Sequence, residues 1–344
     1  MTKVLLTGGS GFIAAHILEQ LLKKGHDVVT TVRSEEKASK IRENYPQYKD
    51  KLNVQIVPDI AKLDAFDEVV KIPGIEVVLH TASPFHFNFK DPKELLEPAI
   101  NGTTGILKAI ARSAPSVRRV VVTSSFAALL DEAKLTDPNT VFSEKTWNPV
   151  TAEDAHKSQA TAYRASKTLA EKAAWDFVKD PANGAKFDLA TVNPPMVYGP
   201  PAPWMASLEA INTSNERIVA AVQGKWKEAG GVPATGAAYN WVDVRDVATA
   251  HVKAGLENPQ AGGHRLFTTA GRFSNRQILD LIRKNFPEYA DRLPGEEVKG
   301  GEYPGDDKVY GFDNSETNSL LGINWISLEQ SIVDTVKSIQ SFGV

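Results

Sequence analysis

Residues 3–21 have the sequence Lys3-Val-Leu-Leu-Thr-Gly-Gly-Ser-Gly-Phe-Ile-Ala-Ala-His-Ile-Leu-Glu-Gln-Leu21. The apolar run at 4–6 is typical of a strand that is buried on both faces of a parallel sheet. From Phe12 onward the apolar residues follow the period of a helix. Between the two lies a glycine-rich turn, where residues without a Cβ give the backbone its freedom. The stretch therefore predicts a strand, a tight turn and a helix.

The spacing of the small residues in this turn is G-x-x-G-x-x-A, formed by Gly8, Gly11 and Ala14. In a dinucleotide site, the first permits the turn, the second lets a pyrophosphate approach the backbone, and the third lets the helix lie close to the strand. Free N–H groups and the positive end of the helix dipole hold the phosphates. A plain strand-turn-helix has the same local pattern. The strand before it and the helix after it are the context that favours a dinucleotide site.

The composition excludes several classes of protein. The chain has 344 residues and a net charge of −3, with no basic block, so nucleic acid and anionic membranes are poor candidate partners. It has no Cys, which excludes disulfides, thiolate metal sites and a cysteine nucleophile. The seven His show no close metal spacing, so we assign no metal. A first strand at the very start and no apolar run near ~20 residues predict a cytoplasmic protein without a membrane segment.

The alternation of strands and helices continues to Asp188–Val192 and predicts an α/β fold, a Rossmann-type doubly wound parallel sheet. Beyond it, clustered prolines indicate loops. We predict a dinucleotide-binding Rossmann domain over 1–193 plus about 237–265. About 194–236 and 266–344 would form a smaller, interleaved C-terminal substrate-binding lobe.

Some local predictions concern single elements. We expect a short helix at Leu63–Lys71, a strand at Leu266–Thr268, and helices at 275–285 and 327–340. Asp246 is expected to cap the N-terminus of the helix that follows a strand near Val242.

Tyr163 and Lys167 form a Y-x-x-x-K pair within a helical stretch. Four-residue spacing places both on one helix face, about one turn apart. A lysine cation near a phenol favours the phenolate, which makes the tyrosine a competent general acid or base. A solvated lysine beside a core tyrosine gives the same pattern. Its position after a dinucleotide-type domain favours the catalytic interpretation.

Ser124 and Ser125 follow directly after the predicted strand Arg119–Thr123. The carboxyl ends of parallel strands form the edge where open α/β sheets bind ligands. A hydroxyl there can donate a hydrogen bond to a carbonyl oxygen as negative charge develops on it. The alternative is that a serine simply ends the strand in a turn.

In combination, these motifs resemble the extended short-chain dehydrogenases/reductases. T-G-x-x-G-F-I at 7–13, Asp59-Ile60, Thr-Ser-Ser at 123–125 and Y-x-x-x-K at 163–167 match family positions in order. The chain looks more similar still to the dihydroflavonol-4-reductase-like branch, and within it to fungal NADPH-dependent aldehyde and ketone reductases of the methylglyoxal-reductase type. The stretches that carry this closer resemblance are Thr31–Lys37, Leu79–Phe85, Pro98–Gly102, Trp147–Pro149, Ala170–Trp175, Asn193-Pro194, Val197–Pro200 and Val242–Ala248.

The resemblance implies a Ser-Tyr-Lys mechanism with NADPH. Ser125 would orient and polarise the carbonyl, Tyr163 would donate the proton, and Lys167 would lower the proton affinity of the tyrosine and hold the nicotinamide ribose. The implied cofactor-binding residues are Thr7, Gly8, Gly11, Phe12, Ile13, Arg33, Lys37, Asp59, Ile60, Thr81, Ala82, Ser83, Tyr163, Lys167, Pro194 and Val197.

The choice of cofactor also follows from charge. NAD sites place an acidic residue near the end of the second strand to bind the ribose 2′-OH, whereas a cation there suits a 2′-phosphate. Here the strand ends at Arg33, with Lys37 one turn further. Glu35 and Glu36 are expected to point elsewhere on a short helix. The sequence therefore predicts NADPH/NADP+.

A substrate pocket is predicted from aromatic and apolar residues that follow strand ends or lie in the proline-rich region. An apolar cavity above the nicotinamide would accept a ketone with an aryl or alkyl arm. The alternative for each residue is ordinary core. The candidates are Phe85, Phe87, Phe126, Val197, Tyr198 and Trp204.

The sequence thus predicts an NADPH-dependent carbonyl reductase that gives chiral alcohols from small-molecule aldehydes and ketones. An NAD-dependent nucleotide-sugar epimerase or dehydratase shares the glycine turn and the Tyr-Lys pair, but Arg33 without a ribose-binding acid argues against it. A non-catalytic NADP(H)-binding sensor is the other alternative, although a sensor needs neither Ser125 nor Tyr163.

Overall fold

The computed structural model describes residues 1–83, 89 and 91–344. The strands, in chain order, are β1 (Lys3–Thr7), β2 (Asp27–Val32), β3 (Leu52–Ile56), β4 (Ile75–His80), β5 (Arg119–Thr123), β6 (Val141–Ser143), β7 (Asp188–Val192), β8 (Met196–Tyr198), β9 (Asn240–Asp243), β10 (Arg265–Leu266), β11 (Gly271–Arg272) and β12 (Gly311–Asp313). The α-helices are α1 (Phe12–Lys23), α2 (Glu35–Asn44), α3 (Lys93–Ser113), α4 (Gln159–Lys179), α5 (Glu216–Val222), α6 (Lys225–Glu228), α7 (Val244–Val252), α8 (Asn275–Asn285), α9 (Ser315–Leu321) and α10 (Leu328–Ile339).

The central sheet has seven strands in the order β10-β7-β5-β4-β1-β2-β3, and every neighbouring pair is parallel. The chain moves outward from β1 to β3 and then crosses back to β4 on the other side of β1. Such a reversal opens a crevice at the carboxyl ends of the strands. The predicted doubly wound Rossmann-type sheet is confirmed.

The two faces of this sheet are covered by different helices. Leu6 belongs to an apolar cluster with residues of α1 and α7, including Leu18 and Val247. Its neighbour Leu5 belongs to a second cluster with residues of α3 and α4, including Leu107. Successive side chains of a strand point to opposite faces, so the apolar run of β1 is buried on both sides.

The remaining strands form a three-stranded sheet, β11-β9-β8, and a two-stranded pair, β12-β6. A third apolar cluster packs α5, α8 and α10 against β8 and β9 and includes Tyr198, Trp241 and Ile278. The chain joins the two regions at Asp243, because β9 lies in the smaller sheet whereas α7 packs beside α1. The domain boundaries remain a prediction.

The structure corrects two local predictions. The expected helix at Leu63–Lys71 consists of turns and a 3-10 helix over Val69–Lys71, because packing of Phe66 and Val69 in the second apolar cluster overrides the local helical period. The N-cap of α7 is Asp243, whose carboxylate accepts a hydrogen bond from the backbone N–H of Arg245. Asp246 lies inside the first turn instead, because α7 begins at Val244 directly after β9.

The other element predictions agree more closely. Helix α8 has the expected bounds, α10 is one residue shorter at each end, and the last strand of the large sheet lies at Arg265–Leu266. Among the described helices, none combines the length and apolar character needed to cross a membrane.

Candidate active site

The turn after β1 is shaped for an anion. Gly8 adopts a φ of +73°, and a Cβ on it would lie 2.9 Å from the Cα of Ala82. Gly11 is the N-cap of α1 and has no side chain to cap the helix, and the first turn contains no acid. The first N–H groups of α1 are thus free of a side-chain cap and carry the positive end of the helix dipole. This geometry supports the predicted roles of both glycines in holding a pyrophosphate.

Gly9 is a residue that the sequence argument missed. A Cβ at this position would lie 2.1 Å from the Oγ1 atom of Thr30, so the turn can pass β2 only as glycine. Its N–H donates to the carbonyl oxygen of Thr31 at 2.8 Å. The adjacent glycines at 8 and 9 were the available signal.

A cleft of about 330 Å³ opens beside the glycine turn at the carboxyl edge of the large sheet. Its wall contains many of the residues that were predicted to bind the cofactor, namely Gly8, Gly11, Arg33, Lys37, Asp59, Ile60, Thr81, Ala82 and Ser83. Ser10, Thr31, Val32, Val57 and Pro58 complete the wall and were not predicted.

Thr7 lies beneath this cleft rather than in its wall. Its hydroxyl accepts the N–H of Ala82 at 3.1 Å and contacts Nδ1 of His80 at 2.9 Å. Its carbonyl oxygen accepts the hydroxyl of Thr81 at 2.6 Å. Thr7 therefore ties the carboxyl end of β1 to that of β4 and shapes the floor of the site.

One end of the cleft carries two cations. Arg33 is exposed and Lys37 is half-buried, and within the described part of the chain neither forms a salt bridge. Burial lowers the pKa of Lys37, and the positive charge of Arg33 lowers it further. Ser34 caps α2 by accepting the N–H of Lys37 at 3.4 Å, which fixes where the lysine leaves the helix.

The acids nearest in sequence are engaged elsewhere. Glu36 pairs with Lys40 at 2.7 Å, and Glu35 pairs with Arg42. Both glutamates are mostly exposed on α2 and do not line the cleft. Arg33 and Lys37 give the cleft the charge expected for a phosphate, and the acid in its wall, Asp59, follows β3 rather than the end of β2, where a ribose-binding acid is expected.

The catalytic trio that was predicted from the sequence is brought together. The hydroxyl of Ser125 lies close enough to the phenol of Tyr163 to lower its pKa by hydrogen bonding. Nζ of Lys167 lies 5.9 Å from the centre of the Tyr163 ring. It also donates to Oγ of Ser83 at 2.9 Å, which connects the trio to the wall of the cleft.

The protein around these groups sets their charge states. Burial raises the pKa of the Tyr163 phenol, and the hydrogen bond from Ser125 opposes that rise. Burial lowers the pKa of Lys167 to about 8, and that of His80 to about 3. Near neutral pH the phenol thus holds its proton, the lysine is mainly charged, and His80 is neutral.

Ser125 sits at a defined turn after β5. It is the N-cap of a 3-10 helix over Phe126–Ala128, and its Oγ accepts the N–H of Ala127 at 3.1 Å. Pro194 braces the same turn, because its carbonyl oxygen accepts the N–H of Phe126 at 2.9 Å. A hydroxyl that accepts from the backbone still has its own proton to donate to a ligand.

Two of the predicted pocket residues are core residues. Phe126 stacks on Phe267 with ring centres 4.9 Å apart. Tyr198 is fully buried and packs edge-on against Phe273 at 5.2 Å. Both side chains fill apolar clusters, so the pocket prediction is not supported for them. Phe85 and Phe87 lie outside the described residues.

The other pocket and cofactor candidates are divided between a second cavity and the core. Trp204 lines a second cavity of about 370 Å³ next to the glycine turn, and its Nε1 donates to the carbonyl oxygen of Ser10 at 3.4 Å. Phe12 lines the same cavity, whereas Ile13 packs against the first apolar cluster. Val197 is buried in β8, where its N–H donates to Ser214. In the described part of the chain, no group of His, Asp or Glu side chains is arranged to hold a metal ion.

Comparison with known proteins adds an independent finding. A family model described as the NAD dependent epimerase/dehydratase family matches residues 4–268. The chain is 46% identical over 342 residues to the ketoreductase azaE of Aspergillus niger, covering 98% of this chain and 97% of that protein. It is 38% identical over 346 residues to the NADPH-dependent methylglyoxal reductase GRE2 of Saccharomyces cerevisiae, covering 98% of each.

The similarity extends to solved structures. Gre2 of Candida albicans, crystallised in complex with NADPH, superimposes with a TM-score of 0.92 at 37% identity and with 100% of each chain covered. The resemblance that the motifs predicted, to extended short-chain reductases and their methylglyoxal-reductase branch, is confirmed by these relatives.

Proposed function

The chain belongs to the NAD dependent epimerase/dehydratase family. Within that family, we propose that it is an NADPH-dependent carbonyl reductase acting on aldehydes and ketones, as its reductase relatives are named. The observation that carries the proposal is the placement of Lys167 beside the ring of Tyr163 and against Ser83 of the cleft wall, with Ser125 near enough to lower the pKa of the phenol. The reductases among its relatives support the same reaction class.

In the proposed reaction the chain polarises and protonates a carbonyl oxygen. The hydroxyl of Ser125 donates a hydrogen bond to that oxygen, which stabilises the negative charge that develops there. As the carbonyl carbon accepts a hydride, the phenol of Tyr163 gives up its proton to the oxygen, and the carbonyl becomes an alcohol. The ammonium of Lys167 stabilises the resulting phenolate, which is reprotonated before the next cycle. When bound, NADPH supplies the hydride.

The residues present fit this cofactor. Gly8 and Gly11 leave room for a pyrophosphate at the uncapped start of α1, and a side chain at Gly8 would collide with Ala82. Arg33 and Lys37, both without a salt bridge among the described residues, would hold a 2′-phosphate. We propose that the other predicted cofactor residues line or support the same cleft.

An NAD-dependent nucleotide-sugar epimerase or dehydratase is the second candidate, because the family description names those reactions. The cationic end of the cleft argues against it, since a free ribose 2′-OH is normally bound by an acid. A non-catalytic NADP(H) sensor would have no use for the Ser-Tyr-Lys trio.

The test is oxidation of NADPH and NADH by the purified protein with methylglyoxal, a diketone, an aryl ketone and a β-ketoester. The proposal expects turnover with NADPH preferred over NADH. Tightly retained NAD without net turnover would favour the epimerase, and NADPH binding without reduction of any carbonyl would favour the sensor. The substrate-binding lobe and the cytoplasmic location remain predictions.

A further inference from the structure

A buried carboxylate lies behind the catalytic trio, and the proposed reaction does not use it. Glu171 is 1% exposed and occupies α4 one turn after Lys167 and two turns after Tyr163, on the same helix face. Five side chains donate hydrogen bonds to it. They are Ser124, Trp175 at 3.3 Å, Thr191 at 3.1 Å, Asn193 at 2.7 Å and Arg265 at 2.6 Å.

Three of these donors also hold the backbone around Ser125. Ser124 is the preceding residue, and its hydroxyl donates to the carboxylate. The amide of Asn193 donates both to the carboxylate and, at 3.2 Å, to the carbonyl oxygen of Ser125. Arg265 donates at 3.2 Å to the carbonyl oxygen of Ala128, at the end of the 3-10 helix that Ser125 caps. The turn is therefore tied to Glu171 before and after the catalytic serine.

Arg265 is itself held in place. Its guanidinium lies 3.6 Å from the centre of the Trp147 ring and donates to the carbonyl oxygens of Glu144 and Thr146. The planar stack and the fixed fork of donors leave it one orientation. A buried ion pair of this kind adds little net stability over an apolar pair, because desolvation offsets the attraction. The contribution of this ion pair to the site is therefore the position that it gives to the turn, not stability.

We propose that Glu171 is a positioning residue, which fixes the hydroxyl of Ser125 against the phenol of Tyr163 by anchoring the turn that carries the serine. This inference rests on the proposed reductase function. One rigid helix then sets all three parts of the site, because α4 carries the tyrosine and the lysine directly and holds the serine through Glu171.

The test is Glu171→Gln, which keeps the shape of the side chain and removes its charge. Since small displacements of reacting groups are costly, kcat for carbonyl reduction is expected to fall about 10- to 100-fold. NADPH affinity should stay unchanged, because the network does not line the cofactor cleft. Tryptophan fluorescence titration measures that affinity and counts folded sites.

Asp188→Asn is the matched control. Asp188 pairs with Arg119, a second buried arginine, but it begins β7 and so lies at the amino edge of the sheet, opposite Ser125. Asp188 is about half exposed whereas Glu171 is fully buried, so the control removes one carboxylate charge from a pair with a buried arginine that lies away from the site. Its kcat per folded site should equal that of the wild type.

A second readout separates positioning from simple loss of folded enzyme. Hydrogen bonding by Ser125 lowers the pKa of Tyr163, so a loosened serine should raise the apparent pKa for alcohol oxidation. A smaller amount of active enzyme would leave that pKa unchanged.

If Glu171→Gln does not fold, Ser124→Ala tests the positioning role instead. This variant removes one donor to Glu171 and should lower kcat by about threefold to tenfold. Wild-type kcat and pH profile in these variants, beside an active wild type, would overturn the positioning role alone. An inactive wild type would instead refute the reductase proposal on which it rests.

Discussion

Replacing Arg33 with alanine is expected to weaken the binding of NADPH while leaving that of NADH unchanged. The guanidinium lies at the cationic end of the cleft and forms no salt bridge within the described part of the chain, so its removal exposes no unpaired acid. NADPH differs from NADH only by the 2′-phosphate. Any difference in the loss of affinity between the two therefore reports the contact to that phosphate.

The expected size follows from the exposure of the two cations. A hydrogen bond to a charged group contributes about 1.5–3 kcal/mol, or about 10- to 150-fold in affinity. Arg33 is exposed and screened by salt, so the lower end of about 10-fold applies to the single variant. Lys37 is half-buried and retains part of the attraction. The double variant with Lys37→Ala should lose about 100-fold if the two contributions add.

The assay compares kcat/KM and dissociation constants for NADPH and NADH at low and high salt. The preference of the wild type for NADPH should decrease as salt rises. Arg42→Ala is the matched control, because Arg42 lies on the same helix but pairs with Glu35 outside the cleft. Equal losses for both cofactors, or the same loss in the control, would refute the phosphate-binding role.

Three further predictions concern the proton chemistry. Tyr163→Phe should lower the rate of carbonyl reduction about 10²- to 10⁴-fold with NADPH affinity nearly intact, and ordinary turnover in this variant would exclude the phenol as the acid. Burial lowers the pKa of Lys167 to about 8. The reduction rate should therefore be constant below that pH and fall above it, because the neutral amine no longer stabilises the phenolate. A rate that rises through that range contradicts this role. Burial raises the pKa of Asp246 from 3.8 to about 6, so folding favours the protonated carboxyl. The free energy of unfolding should therefore fall by up to about 3 kcal/mol as pH rises from about 4 to about 6. Asp246→Asn keeps an oxygen to accept the N–H of Ile326 and should remove this dependence, which urea unfolding at about pH 4 and about pH 7 measures; an unchanged dependence would assign it to another group.

The parts of the site that could be predicted are those whose function is encoded within a few residues. The turn at 8–11 can be predicted from its glycines alone, since the positive φ of Gly8 is a local conformation that disfavours any residue with a Cβ. The Tyr163–Lys167 pair reads from helical spacing alone. The residue that caps α7 could not be predicted in this way, because it depends on where β9 stops pairing with its neighbours.

The aromatic pocket could not be predicted, for a different reason. Phe126 follows β5 at the carboxyl edge of the large sheet, and Tyr198 ends β8 in the smaller sheet. The end of a strand is equally a place where a residue that lines a cleft is found. Whether such a ring faces the cleft or the core is decided by distant partners. For Phe126 the partner is Phe267, and for Tyr198 it is Phe273.

The same dependence on distant contacts explains the sequence motifs that the catalytic trio leaves unused. Trp147 stacks on Arg265, Glu171 accepts from it, and Asn193 joins the carboxylate to the carbonyl oxygen of Ser125. Arg265 is 94 residues from Glu171 in the chain, so no local spacing signals their meeting. Each of these residues alone looks like an ordinary core or loop residue, and only the fold brings them to one serine. A conformation that must be held to a fraction of an ångström needs support from several strands at once. The positioning network is therefore the part of the site that is hardest to predict from the sequence.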